Sequence, residues 1–189
     1  MINPELIAVA EGKCEQHQAD HSFRVMKLDR KIFEKQLEID GPEEIRKNQD
    51  FFLNVLDWTA VLHDREMDGD LEYDFDHGEK AAKIVDEIVG DKMNDEGKKW
   101  IKFLCIYHVP DDGEIPPLTE MQKWLLSVFK DADGLDRVRF ENGDKLDENF
   151  LRTESAKTLI VEARELWEKT KGITEPQAAF DAVFGNRVE

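Results

Sequence analysis

The chain has 189 residues, of which 40% are hydrophobic and 37% are charged, a balance typical of a globular protein with its own core. Its formal net charge of −17 at pH 7 repels nucleic acid backbones and anionic membrane surfaces. Long nucleic acid and membranes are therefore disfavoured as partners.

The cellular compartment is predicted from the low number of cysteines and from the lack of a signal-peptide pattern or a long apolar run. Cys14 and Cys105 are too few for a disulfide framework, which favours a reducing environment. No basic segment followed by a long apolar core opens the chain, so no signal peptide is predicted. No apolar run approaches the roughly 18 residues of a membrane-spanning helix. A cytoplasmic location is the expectation.

Apolar residues recur at three- and four-residue steps along most of the chain, which predicts helices. A short helix follows Pro4, and Gly41 and Pro42 separate the second helix from the third. The later predicted helices are, in chain order, residues 22–39, 43–63, 76–88, 96–108, 119–133, 154–170 and 178–184. Strands are hardly signalled.

Polar residues predict several boundaries. Asp76 with Glu79 is typical of a helix start, and Thr174 with Gln177 predicts a capping box before the last helix. Residues 65–76 are acidic and contain glycine, so we expect a loop there. The prediction is an all-α fold, a single compact helical bundle of about seven or eight helices in one domain over residues 1–189.

Four of the five histidines form an ordered series with two aspartates. The members are His21, His63, Asp64, His77, His108 and Asp133. Imidazoles and carboxylates are ligands for borderline and hard divalent cations, and six such groups suffice for two ions. The series therefore predicts a metal centre that holds one or two ions.

The motifs around these residues are HSFRV, an apolar helix ending in LHD, HGEKAAKIV and KDADGLDRV, in that order. Together they resemble the motifs of the HD-domain metal-dependent phosphohydrolase superfamily. The resemblance covers about residues 15–140, which would form an HD-type core, with a helical C-terminal extension over about 141–189. It implies hydrolysis of a small phosphorylated substrate, nucleotide-like or otherwise, by a metal-activated hydroxide, as a phosphatase or phosphodiesterase.

The resemblance also implies a role for each member of the series. Four residues match the ligands of the first metal: His21, His63, Asp64 and Asp133. His77 and His108 match the additional histidines of two-metal members, in which the aspartate of the doublet, here Asp64, is shared by both ions. The ions would be divalent manganese, iron, magnesium, nickel, cobalt or zinc. Asp131 and Asp136 are expected at the surface or behind the ligands.

Further residues are candidates for catalysis and substrate binding. Asp64 would act in catalysis as the shared ligand, and Glu66 or Asp68 can serve as acid or base. Three basic residues are candidates for binding the substrate phosphate: Arg24, Lys80 and Arg137. A surface ion pair is the alternative role for each of them in so acidic a chain.

The sequence departs from some branches of the superfamily. Met67 stands where alarmone hydrolases and the 5′-nucleotidase branch carry a glutamate after the doublet. The HHExxDGxGYP signature of the cyclic-dinucleotide branch does not occur in the sequence. These branches are disfavoured, and the substrate stays open.

Three alternatives to hydrolysis at this site remain. Two-iron oxygenases that resemble the superfamily share the ligand set, and a non-catalytic metal-binding HD module would keep the fold alone. Two C-x-x-H pairs, Cys14 with His17 and Cys105 with His108, also have the composition of a tetrahedral zinc site.

Overall fold

The computed structural model describes residues 2–10, 19–67, 74–140 and 146–185, and within these ranges it contains helices and no strand. The predicted all-α class is confirmed. The described residues form α1 Glu5–Val9, α2 Ala19–Asp40, α3 Glu43–Lys47, α4 Gln49–Leu62, α5 His77–Val89, α6 Asp95–Tyr107, α7 Glu120–Asp136, α8 Glu154–Lys157, α9 Ile160–Thr170 and α10 Pro176–Phe184. Three single 3-10 turns occur at Gly90–Lys92, Arg137–Arg139 and Glu148–Phe150.

The segment predicted as one helix over residues 43–63 is two helices, α3 and α4. Between them Asn48 takes φ −122° and ψ 37°, outside the α-helical region. Its side-chain amide donates to the carbonyl of Glu44 at 3.0 Å, which satisfies a group at the end of α3. The apolar spacing continues across Asn48, so periodicity alone did not predict the break.

The segment predicted as one helix over residues 154–170 is also interrupted. α8 ends at Lys157, and the hydroxyl of Thr158 donates to the carbonyl of Ser155 at 2.7 Å. Leu159, with φ −104° and ψ 2°, then redirects the chain into α9. These two interruptions explain why the helices outnumber the prediction.

Two predicted helix starts fall at the expected residues, with different chemistry. Thr119 caps α7 in a complete capping box with Gln122. Asp76 precedes α5 as predicted, but its carboxylate makes no capping hydrogen bond and instead pairs with Lys80 at 2.9 Å. The box-like signal at Asp76 was therefore correct in position and wrong in mechanism.

The predicted cap of the last helix is one residue too early. Glu175, not Thr174, precedes α10, and its carboxylate accepts hydrogen bonds from the backbone N–H groups of Gln177 and Ala178. Pro176 follows at the first helical position, where its fixed φ suits the helix.

The helices pack around α2, which contacts α4, α7, α8, α9 and α10. α5 and α6 form a pair that packs on α4. Buried apolar side chains from all ten helices form one cluster that extends from Leu6 to Val183. Among the described residues, no helix is both long enough and apolar enough to cross a bilayer.

Candidate metal centre

The six predicted ligands lie at or near helix ends. His21 is in the first turn of α2, His77 begins α5, and His63 and His108 end α4 and α6. The two aspartates lie in the turn after α4 and in the last turn of α7. Helix ends leave backbone carbonyl groups without a helical partner, and these groups are available to hold neighbouring side chains.

A first cluster comprises His21, His63, Asp64 and Asp133. The Nε2 atoms of His21 and His63 are 3.3 Å apart, and Asp64 Oδ2 is 3.4 Å from each of them. Asp133 Oδ1 lies 3.6 Å from His21 Nε2 and 3.7 Å from His63 Nε2. Four atoms placed tetrahedrally at about 2.1 Å from one ion lie about 3.4 Å apart. The first cluster therefore has the dimensions of a site for one cation.

A second cluster comprises Asp64, His77 and His108. The Nε2 atoms of the two histidines are 3.1 Å apart. Asp64 Oδ1 lies 3.3 Å from His77 Nε2 and 3.2 Å from His108 Nε2. Three protein ligands leave coordination positions open for water or substrate, which is typical of catalytic metal sites.

Asp64 belongs to both clusters and divides its carboxylate between them. Oδ2 faces His21 and His63, whereas Oδ1 faces His77 and His108. A carboxylate with one oxygen directed at each of two sites is the arrangement that joins neighbouring cations in two-metal enzymes. The structure thus brings the six predicted ligands into two adjoining clusters.

Two of the histidine rings are oriented by the last turn of their own helix. His63 Nδ1 donates to the carbonyl of Ala60 at 3.1 Å, and His108 Nδ1 donates to the carbonyl of Cys105 at 2.6 Å. Each acceptor is one of the carbonyl groups that a helix end leaves unpaired. With Nδ1 protonated, Nε2 of each ring carries a lone pair.

The other two rings are oriented in the same sense. His77 Nδ1 donates to the carbonyl of Asp74 just before α5, and His21 Nδ1 donates to Asp136 Oδ2 at 2.8 Å. All four Nε2 lone pairs therefore point towards carboxylate oxygens and towards one another. Such a concentration of acceptors repels itself unless a cation or a proton lies within it, so the donor set fits a bound metal.

The electrostatics of the metal-free site show this mutual dependence. Burial lowers the pKa of His63, but the carboxylates of Asp64 and Asp133 outweigh burial and raise it to about 9. Burial raises the pKa of Asp64, but the charge of His63 and hydrogen bonds from the other imidazoles hold it well below its usual range. Without a metal, a proton on His63 offsets the negative charge of these carboxylates.

The pKa values of His77 and His108 are shifted in opposite directions. Burial lowers the pKa of His77, yet the hydrogen bond to Asp64 raises it overall. For His108 burial dominates, and its pKa is lowered. A lowered pKa keeps this imidazole neutral near pH 7, the form that binds a metal.

Arg24, a predicted substrate-binding residue, lies inside the protein. Its side chain is 1% exposed, and its guanidinium donates to Asp136, Asp20 and Thr170. A buried guanidinium that is engaged on several sides does not offer itself to a substrate. Arg24 instead lies behind the first cluster.

The remaining predicted residues have different positions. Lys80 lies one turn after His77 and pairs with Asp74 at 2.8 Å as well as with Asp76. Glu66 is half-buried in the turn after Asp64, so its predicted acid or base role stays a prediction. Asp68 lies outside the described residues.

The zinc alternative is only partly covered by the structure, because Cys14 and His17 also lie outside the described residues. Cys105 is buried, and burial raises the pKa of its thiol. A zinc ligand must be the thiolate. His108, its partner in the C-x-x-H pattern, directs Nε2 at Asp64 and His77.

A cavity of about 470 Å³ adjoins both clusters, since His108 and Asp133 form part of its wall. Three basic side chains line it: Lys130, Arg137 and Arg152. Arg137 and Arg152 are both exposed, and Arg152 pairs with Asp112 at 2.8 Å, so the predicted substrate-binding role of Arg137 stays a prediction. Lys130 was missed by sequence reasoning; its amine donates to the carbonyl of Pro110 at 2.6 Å. The carboxylates of Asp111 and Asp147 also line the cavity.

Comparisons with protein-family models, with curated proteins and with solved structures gave no match for this chain.

Proposed function

We propose that the chain is a metal-dependent phosphohydrolase, a phosphatase or phosphodiesterase, that acts on a small phosphorylated substrate. The observation that carries the proposal is the divided carboxylate of Asp64, with one oxygen directed at each histidine pair. When bound, two divalent cations would acidify a water molecule and neutralise phosphoryl oxygens in an in-line displacement. His21, His63 and Asp133 would complete the first site, and His77 and His108 the second.

The side chains on the wall of the cavity favour an anionic substrate. In a chain of net charge −17, three basic side chains line the cavity beside the metal clusters: Arg137, and Lys130 and Arg152, which also pair with Asp112. Guanidinium and ammonium groups bind phosphate through charge-assisted hydrogen bonds. A volume of about 470 Å³ suits a small molecule better than a polymer.

Metal content and hydrolysis should be measured together. The protein is purified without chelator and its metals are counted, and activity is then assayed with Mn²⁺, Mg²⁺, Co²⁺, Ni²⁺ and Zn²⁺ over a panel of phosphomonoesters, phosphodiesters and nucleotides. His63→Ala and Asp64→Asn should abolish turnover. Asp86→Asn, a carboxylate change on exposed α5 surface, should leave it intact. Purified protein that takes up no divalent metal at any occupancy contradicts the proposal.

A two-iron oxygenase is the second candidate, because the same divided carboxylate and imidazole donors suit a pair of iron ions. Anaerobic reduction of iron-loaded protein distinguishes the two. A mixed-valent iron signal with oxygen uptake favours the oxygenase, whereas turnover of a phosphoester with Mn²⁺ or Mg²⁺ favours hydrolysis. Two bound ions with neither reaction would favour a non-catalytic module.

A further inference from the structure

The carboxylate of Asp136 lies directly behind the first cluster. It is fully buried and accepts hydrogen bonds from His21 Nδ1 at 2.8 Å and from Arg24 Nε at 2.6 Å. Arg24 Nη2 and Arg139 Nη1 add further hydrogen bonds at 3.0 and 3.2 Å. The position of Asp136 in the last turn of α7, three residues after Asp133, aligns it with the predicted ligand on that helix.

His21 differs in this respect from the other three histidines of the two clusters. The Nδ1 atoms of His63, His77 and His108 are held by neutral backbone carbonyl groups, whereas that of His21 is held by a carboxylate. A carboxylate behind a metal-binding imidazole fixes its tautomer and increases its basicity as a ligand. The two clusters are therefore not equivalent in donor strength.

Arg24 connects this carboxylate to the C-terminal part of the chain. Its Nη1 donates to Thr170 Oγ1 at 2.9 Å and to Asp20 at 2.7 Å, and its guanidinium lies 5.0 Å from the ring centre of Trp167. Both Trp167 and Thr170 belong to α9. A helix outside the motif-bearing segment thus holds the group that holds Asp136.

We propose that Asp136 and Arg24 are positioning residues for the first metal, and that α9 completes their support. They act through His21, which they hold with Nε2 directed into the cluster. Loss of such a partner typically lowers metal affinity about 10- to 100-fold. The inference rests on the metal binding contained in the proposed function, and it predicts an effect on one of the two ions only.

The test is a titration of metal-free full-length protein with Mn²⁺, followed by the electron paramagnetic resonance signal of the free ion. Wild type should bind two ions. Asp136→Asn should weaken the tighter one by about 10- to 100-fold and leave the other unchanged. Arg24→Lys, which keeps the charge and loses the planar fork, should give an intermediate loss.

Asp131→Asn is the matched control. Asp131 lies on the same helix and is equally buried, but it accepts hydrogen bonds from the backbone N–H groups of Arg152 and Thr153 and, within the described part of the chain, has no hydrogen bond to a predicted ligand. It should therefore lose stability, measured by thermal unfolding, and keep both affinities. An equal loss of Mn²⁺ affinity in both variants would mean that Asp136 supports the fold alone, which overturns the inference.

If Asp136→Asn fails to fold, a milder variant still tests whether these residues position the first metal. Thr170→Val replaces the hydroxyl that accepts from Arg24 by a methyl group of similar size, and it should weaken the same ion to a smaller extent; unchanged affinity there overturns the inference. If wild type binds two ions and folded Asp136→Asn binds both equally well, the inference fails while the proposed function stands. Wild type that binds no Mn²⁺ overturns the inference, and it overturns the proposed function as well only if no other divalent metal binds.

Discussion

The Nε2 atoms of His77 and His108 lie 3.1 Å apart, and the Nδ1 atom of each ring donates to a backbone carbonyl group. Two lone pairs that face each other at this distance require a cation or a proton between them. His77→Ala and His108→Ala are each expected to reduce the number of bound ions from two to one. Metal analysis after removal of free ions measures this count.

In His77→Ala and His108→Ala the phosphohydrolase activity should fall by about 100-fold or more, because the second ion would stabilise transition-state charge by several kcal/mol. Lys102→Ala, which removes a half-buried lysine of α6 that pairs with Asp86 of α5, serves as control and should keep both ions. Two ions retained in both histidine variants would show that these rings are not ligands.

The metal-free protein should lose stability at alkaline pH. The pKa of His63 is about 9 in the folded protein, because Asp64 and Asp133 outweigh burial, against about 6.5 in an unfolded chain. The stabilisation from this proton is fully present below about pH 6.5 and disappears as the pH rises through 9. A bound metal replaces the proton, so metal-loaded protein should not show the loss.

Urea unfolding of chelator-treated and metal-loaded protein between pH 6 and 10 measures this difference. We expect the two free energies of unfolding to diverge with rising pH, on the order of a few kcal/mol. In His63→Ala the divergence should shrink. Parallel curves for wild type over the whole range would contradict the prediction.

Gly78 allows α5 and α6 to approach closely beside the second cluster. A Cβ atom at this position would lie 2.2 Å from the carbonyl oxygen of Cys105, which also accepts the hydrogen bond from His108. Gly78→Ala is expected to cost about 1–3 kcal/mol of stability and to weaken the second ion. Gly113→Ala, where a Cβ meets no atom within 4 Å, is the control. Unchanged Mn²⁺ binding and thermal unfolding in Gly78→Ala would refute this.

Asp29 is a buried carboxyl group whose oxygens make no hydrogen bond of good geometry in the described part of the chain, and the favourable influences on its charge come from the guanidinium and the backbone N–H of Arg30. Burial and repulsion by Asp57 raise its pKa well above the usual value. Its unfavourable contribution is absent below the unfolded pKa, near 4, and grows as the pH rises towards the folded pKa. Asp29→Asn is therefore expected to stabilise the protein at pH 7 by about 1–2 kcal/mol, and less at pH 4.

Chemical denaturation at the two pH values tests this. Asp57→Asn provides the contrast, because Asp57 is equally buried but receives a hydrogen bond from Arg30 at 2.6 Å. That variant should be destabilised. A loss of stability in Asp29→Asn at pH 7 would show that the carboxyl group has a favourable partner.

Arg137 is an exposed basic side chain on the wall of the cavity. If the proposed function holds, Arg137→Ala should raise the KM for a phosphorylated substrate about 10-fold or more, through loss of a charge-assisted hydrogen bond. Arg137→Lys should restore part of the affinity. Arg164→Ala, an exposed arginine on α9, should leave KM unchanged. Equal KM values for all variants would exclude Arg137 from substrate binding.

The sequence predicted the helices better than their interruptions. Amphipathic spacing continues through Asn48 and Thr158, so no periodicity could indicate that a side chain bonds to the preceding turn and breaks the helix there. The start of α7 at Thr119 was predicted correctly, because its capping box involves only residues close together in the sequence. Glu175 was missed because a glutamate is not among the preferred capping residues.

For the candidate site, ordered motifs identified the residues that the structure brings together, since each motif is contiguous in sequence. The surroundings depend on contacts between distant segments and were not predictable. Arg24 and Thr170 are 146 residues apart, and no local pattern pairs them. Asp136 gave one usable signal, its spacing of one helical turn from Asp133.

The four histidines project from four different helices, α2, α4, α5 and α6 or their ends, and α7 provides the final aspartate. An ion in the first cluster would cross-link α2 to α7, two segments more than a hundred residues apart along the chain, and the unfolded chain offers no such site. Binding energy would then become folding energy, and the melting temperature should rise with the concentration of free metal. Growth in metal-poor medium should accordingly yield less folded protein, whatever the substrate.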